Sequence, residues 1–251
     1  MKQKFLRNFY IKVVIKMPGN RSLKPVKVFV VDSGIDTGKS DLKLYVKRST
    51  GFGVNIDSYI AEDDKRQVTN EHGTAISLII RDICNGIELT SINILSERLT
   101  ADARVLIYTL CWCLEQEVDI IHLSLGTRKL FYSFALRKIV KEACKKGIII
   151  VAALDNHPGR CYPGYLKGVI GVRGEELHNK TDFYFDGRFL VAPCHTNGIR
   201  GIETLECAFI KQVGNSMAAA YITGHVAGII GQYGNTNYQF IVESLKKRQI
   251  K

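Results

Sequence analysis

Val26-Lys27-Val28-Phe29-Val30-Val31-Asp32-Ser33-Gly34-Ile35-Asp36 reads as a buried strand that ends on a carboxylate and then turns sharply. Residues 26–31 are rich in β-branched and aromatic side chains, which suit a pleated, packed surface. The small Ser33 and the glycine behind it permit the turn. A carboxylate at the C-terminal edge of a parallel strand lies where open α/β sheets place their ligands. Taken alone, the segment is equally compatible with a plain strand-terminating turn.

Working outward, four further apolar runs read as strands, at residues 89–95, 119–123, 148–153 and 168–172. Amphipathic stretches separate them, and this alternation predicts βαβ units and a mostly parallel sheet. A helix is expected from His72 to about residue 84. A second runs from 101 to about 117, with Thr100 as N-cap and Asp102 in the first turn. A third spans 131–146 and ends on Gly147, a glycine C-cap. A fourth starts near Asn215 and is apolar nearly all round, as a central buried helix would be. The last covers 238–248 at the surface. Residues 1–25 read as a short extension in which 10–16 could add an edge strand, and 26–251 as one domain.

The 251 residues are 46% hydrophobic and 24% charged, ordinary values for a globular chain with a large core. No run reaches the roughly 20 apolar residues of a membrane helix. The first 16 residues carry lysines and an arginine among their apolar positions, unlike a secretory signal. Seven cysteines, at 84, 111, 113, 144, 161, 194 and 207, show no paired metal or disulfide spacing, so reduced and mostly buried thiols are expected. A net charge of +11 favours acidic partners in general. The basic residues are spread along the chain without interleaved aromatics, which argues against specific nucleic-acid binding.

Two more segments carry chemistry. In Asn70-Glu71-His72-Gly73-Thr74-Ala75-Ile76-Ser77 a histidine opens a helix, with a glycine behind it that allows close backbone approach. In Gly214-Asn215-Ser216-Met217-Ala218-Ala219-Ala220 a serine heads an apolar helix, at the positive end of its dipole. The remaining histidines read as packing or loop residues: His122 in a strand, His225 after Gly224 in the central helix, and His157, His178 and His195 in loops.

Asp32, His72 and Ser216, in that chain order, resemble the three signatures of the subtilisin-like (S8) serine peptidases. Four further segments match in order. Ile120-Ile121-His122-Leu123-Ser124-Leu125-Gly126 is similar to the family's substrate-pairing strand, and Val151-Ala152-Ala153-Leu154-Asp155-Asn156 to the segment that ends on the oxyanion-hole asparagine. Residues 161–172 resemble the Tyr-Pro-Ala…Val-Ile-Ala-Val stretch, and 189–193 the later Val-Ala-Pro strand. The resemblance covers about residues 26–232. It implies a three-layer α/β/α fold with a mostly parallel central sheet, and a cytoplasmic serine endopeptidase acting in general turnover or in dedicated peptide processing. Its catalytic residues would be Asp32, His72, Ser216 and Asn156. Ser124, Leu125, Gly126, Ala153 and Asp155 would bind a peptide or protein substrate. The alternative is a catalytically silent protein of the same fold that binds peptide.

The departures are specific. Asn215 replaces the family's threonine, Ala220 replaces a proline, and Asp155 replaces a glycine, adding a negative charge near the cleft. Residues 84–95 lack the longer loop that builds a strong calcium site in secreted relatives, so no cofactor is expected.

Overall fold

The computed structural model describes residues 24–39, 41–55, 57–64, 66–68, 70–206 and 213–250. The extension expected at residues 1–25 therefore lies almost wholly outside the described residues, and its possible edge strand at 10–16 and Cys207 lie wholly outside them.

Among the described residues nine strands form one sheet in the order β3-β2-β4-β1-β5-β6-β7-β9-β8. They are β1 Val26–Asp32, β2 Val46–Val54, β3 Ile60–Glu62, β4 Ile87–Asn93, β5 Ile120–Leu123, β6 Ile149–Ala153, β7 Val169–Glu175, β8 Tyr184–Phe185 and β9 Leu190–Pro193. The run from β2 to β9 is parallel throughout, and the two short edge strands pair antiparallel. The helices are α1 His72–Ile83, α2 Ala103–Leu114, α3 Leu130–Lys146, α4 Asn215–Tyr233 and α5 Tyr238–Arg248.

The central strands are apolar on both faces because helices cover both faces. On one side Val28, Val30, Leu89, Ile120 and Val151 pack against α1, α4 and α5. On the other Phe29, Val31, Ile92, Ile121 and Ile150 pack against α2 and α3. Each such apolar side chain contributes roughly 1.5–3 kcal/mol when fully buried. Alternate residues of one strand thus serve two cores, and the three-layer α/β/α architecture follows.

The expected strands and helices are found, with some corrections. Thr100 does not cap α2: the helix starts at Ala103, and the Asp102 side chain accepts the Arg104 N–H. Asp102 thus serves as cap, not as a first-turn residue. Gly147 does end α3, in the left-handed conformation at φ 72°. The thiols are less buried than expected: Cys113, Cys161 and Cys194 are buried, whereas Cys111 and Cys144 are exposed.

Candidate active site

β1 delivers Asp32 to the C-terminal edge of the sheet between β4 and β5, with no exposed surface. The turn after it is stitched to the start of α1. Ser33 N–H donates to Asp32 Oδ1 at 2.7 Å, Ser33 Oγ–H to the Asn70 carbonyl at 2.9 Å, and Gly73 N–H to Ser33 Oγ at 3.0 Å. Asp36 N–H donates to Thr74 Oγ1 at 2.9 Å. A Cβ on Gly73 would run into the Gly34 carbonyl oxygen and lie 3.2 Å from Asp32 Oδ1. The serine, glycine and threonine of the two motifs are therefore what bring strand and helix together.

At that junction His72 Nδ1 lies 2.8 Å from Asp32 Oδ1. Burial alone would raise the Asp32 pKa, but the His72 charge and hydrogen bond, aided by Ser124 and the Ser33 N–H, hold it below the ordinary range. Burial would likewise lower His72; the Asp32 charge and hydrogen bond outweigh this and raise it above 6.5. Both shifts favour the paired, charged form.

Ser216 stands in the first turn of α4. It borders a cleft of about 290 Å³ together with His72, Leu95, Leu99, Ser124, Asn156 and Met217. Its hydroxyl donates to the Ser124 carbonyl at 3.3 Å, a long contact. Asn156, just beyond β6, reaches the same helix start: its Oδ1 accepts the Asn215 N–H at 3.0 Å. The amide is planar, so this bond leaves Nδ2 with its two N–H donors for the cleft.

Asn215 does more than the sequence indicated. Its Nδ2 donates to the Leu154 and Asp155 carbonyls at 3.1 and 3.0 Å, and its Oδ1 accepts the Gly174 N–H at 2.7 Å. One side chain thus ties the start of α4 to β7 and to the segment carrying Asn156. The pattern alone showed only that a threonine was missing; the partners are some 40 to 60 residues away in the chain.

The other expected contacts divide. Ser124 lines the cleft, while Leu125 and Gly126 line an adjoining cavity of about 410 Å³ with Asp102, Arg104, Lys129 and Tyr132. The Ser124–Gly126 ridge therefore runs between the two. Ala153 is buried, only 4% exposed, at the end of β6. Asp155 faces the Arg128 guanidinium at 3.8 Å and accepts the His157 N–H at 2.9 Å, so its charge near the cleft is partly balanced. Among the described residues no group of three or more His, Cys, Asp or Glu side chains is disposed to hold a metal ion.

A sequence model of the subtilase family matches residues 24–251. The Major intracellular serine protease of Bacillus subtilis is 28% identical over 237 residues, 86% of this chain and 71% of that protein. Subtilisin E from the same organism is 29% identical over 227 residues, 83% of this chain and 56% of that protein. The chain thus spans little more than half the length of such a subtilisin. Among solved structures, a cold adapted subtilisin-like serine proteinase superposes with a TM-score of 0.67 at 17% identity, covering 91% of this chain and 84% of that one.

Proposed function

Because the chain belongs to the subtilase family, a family of serine hydrolases, we propose that it is a serine endopeptidase whose triad is Asp32, His72 and Ser216. The observation that carries this reading is the 2.8 Å Asp32–His72 bond opening onto the cleft that Ser216 and Asn156 border.

In this reading His72 Nε2 takes the proton of Ser216 Oγ as the oxygen attacks the scissile carbonyl. Asp32 keeps the proton on Nδ1 and stabilises the imidazolium. The tetrahedral oxyanion is held by the Asn156 amide and the Ser216 N–H, whose orientation at the head of α4 adds the helix dipole. The imidazolium then protonates the leaving amine, and water repeats the sequence on the acyl-enzyme. The extended substrate adds a strand along Ser124–Gly126, with Asp155 at the edge of its path and Ala153 beneath it. These proton and acyl transfers run through the side chains named and ask for no cofactor.

A cytoplasmic setting is supported by a relative named as intracellular and by unpaired thiols that a reducing compartment preserves. Among the described residues no helix is long and apolar enough to cross a membrane.

Fluorophosphonate labelling, with Ser216→Ala as control and a casein digest alongside, tests the proposal. Labelling at Ser216 is expected. Casein cleavage would then point to general turnover, and its absence to a dedicated peptide substrate. Folded protein that takes no label would replace this reading with the peptide-binding one.

A further inference from the structure

His122 sits in β5, fully buried and one strand away from Asp32. Its Nδ1 lies 2.9 Å from Thr223 Oγ1 on α4, and its Nε2 lies 2.9 Å from Ser124 Oγ. Ser124 in turn bears on the Asp32 carboxyl and helps hold its pKa down. The Asp32 oxygen that His72 does not use, Oδ2, is buried without a partner in full hydrogen-bonding geometry.

The proton positions along this row follow from two alternatives. In the first, the Thr223 hydroxyl donates to the Ala219 carbonyl, 2.8 Å away. His122 must then donate from Nδ1, and Ser124 donates to Nε2. Each hydroxyl has one proton, so nothing is left for Asp32 Oδ2. In the second, Thr223 donates to His122 Nδ1, His122 Nε2–H donates to Ser124 Oγ, and Ser124 O–H reaches Oδ2. The bond count is the same once the Ser124 hydroxyl closes on Oδ2, which has no partner in hydrogen-bonding geometry as it stands. The only loss is a second bond at the Ala219 carbonyl, which keeps its helical N–H partner inside α4. The gain is a charge-assisted bond to a buried carboxylate, about twice as strong as a neutral one, and an end to an unsatisfied buried charge. The second arrangement wins.

We propose that His122 is a positioning residue, held as the Nε2–H tautomer, that directs the Ser124 hydroxyl onto Asp32 Oδ2 through the row Thr223–His122–Ser124–Asp32. The carboxylate is then fixed from both ends, Oδ1 by His72 and Oδ2 by Ser124, and His72 inherits that orientation. The charged or titratable groups bearing on His122 are Asp32 of β1 and His72 of α1. Burial keeps the ring neutral by lowering its pKa to about 4, so the row persists across the working range of a neutral peptidase. The catalytic consequence rests on the peptidase reading above; the tautomer does not.

Histidine-labelled protein, observed by nitrogen–proton NMR at pH 6 to 8, reports the tautomer in the unmodified enzyme. Protonated Nε2 and bare Nδ1 at His122 are expected, and the reverse overturns the proposal whether or not the protein cleaves peptides. Kinetics supply the second arm. Ser124→Ala and His122→Phe should each lower kcat roughly tenfold, the equivalent of one ordinary hydrogen bond, with KM nearly unchanged. Stripped of its donor, Asp32 attracts the imidazolium more strongly, so the acid limb of the pH profile moves upward in both variants. Combined, the two substitutions should cost little more than either alone. Should His122→Phe fail to fold, Thr223→Val serves in its place, with a smaller upward shift. Unmoved acid limbs in variants that retain their fold would reduce His122 to a packing residue.

Discussion

α1 and α4, whose first residues border the cleft, begin differently from α2 and α5. α5 starts on Asn237, whose side chain accepts the Gln239 and Phe240 N–H groups, and α2 on Asp102, which accepts the Arg104 N–H. These are local caps, made within three residues. α1 and α4 start on Glu71 and Gly214, neither of which provides a side-chain cap. Each also takes an acceptor from a distant segment: Gly73 N–H donates to Ser33 Oγ of the β1 turn and Asn215 N–H to Asn156 Oδ1 beyond β6, although His72 N–H, the first of α1, donates to Asn70 Oδ1 close by. A local cap stabilises its own helix. A distant one also joins two segments, and here the segments joined are those that carry the residues proposed for catalysis.

The sharpest way to break this contrast is at Asn156. Asn156→Ala should lower kcat by about 10²–10³ with KM little changed, since the proposed role of its Nδ2 is to bind the oxyanion and not the ground-state substrate. A proportional rise in KM would instead make Asn156 a ground-state contact.

The second check is pH. With His72 raised above 6.5, kcat/KM should fall about tenfold per unit below a midpoint higher than that value. The stability held in the pair behaves oppositely. It is fully present below 6.5 for His72, lost as pH rises through its raised pKa, present above 3.8 for Asp32, and lost as pH falls through its lowered one. Melting curves should therefore show this contribution strongest near pH 5, where activity is low. An activity midpoint at or below 6.5 would contradict the pairing.

Asn215→Ala comes third. It removes three bonds to Leu154, Asp155 and Gly174. A drop of roughly tenfold in kcat is expected from a loosened Asn156, accompanied by a lower melting temperature. Asn215→Thr, with its shorter side chain, should recover only part of both. The smallest effect belongs to the remote helix: Asn237→Ala should cost about 1 kcal/mol of stability and leave kcat and KM alone. A kinetic change there would erase the distinction between local and distant caps.

What the sequence disclosed follows the same division. Strands buried on both faces declare themselves as apolar runs, so β1, β5 and β6 could be read directly. β2 could not: Val-Lys-Arg-Ser-Thr-Gly-Phe-Gly-Val has two glycines, polar residues and a register shift between Val46 and Arg48. It is held by β4 rather than by its own pattern. Asp32, His72 and Ser216 were legible through the resemblance of their three motifs taken together, since each junction alone also fits a plain turn or helix start. The grip of Asn215, the Arg128–Asp155 contact and the row through His122 join residues far apart in the chain, and nothing local announces them.

Gly73 gives the clearest view of how narrow such a site is. Every other amino acid brings a Cβ into the Gly34 carbonyl and against Asp32. Elsewhere along α1 a leucine can drift to isoleucine and back while neighbouring side chains readjust. At residue 73 the neighbour is backbone and cannot readjust, so a single methyl group separates His72 from its carboxylate. The position has no neutral neighbours in sequence space, and any lineage that keeps the activity must pass through it unchanged.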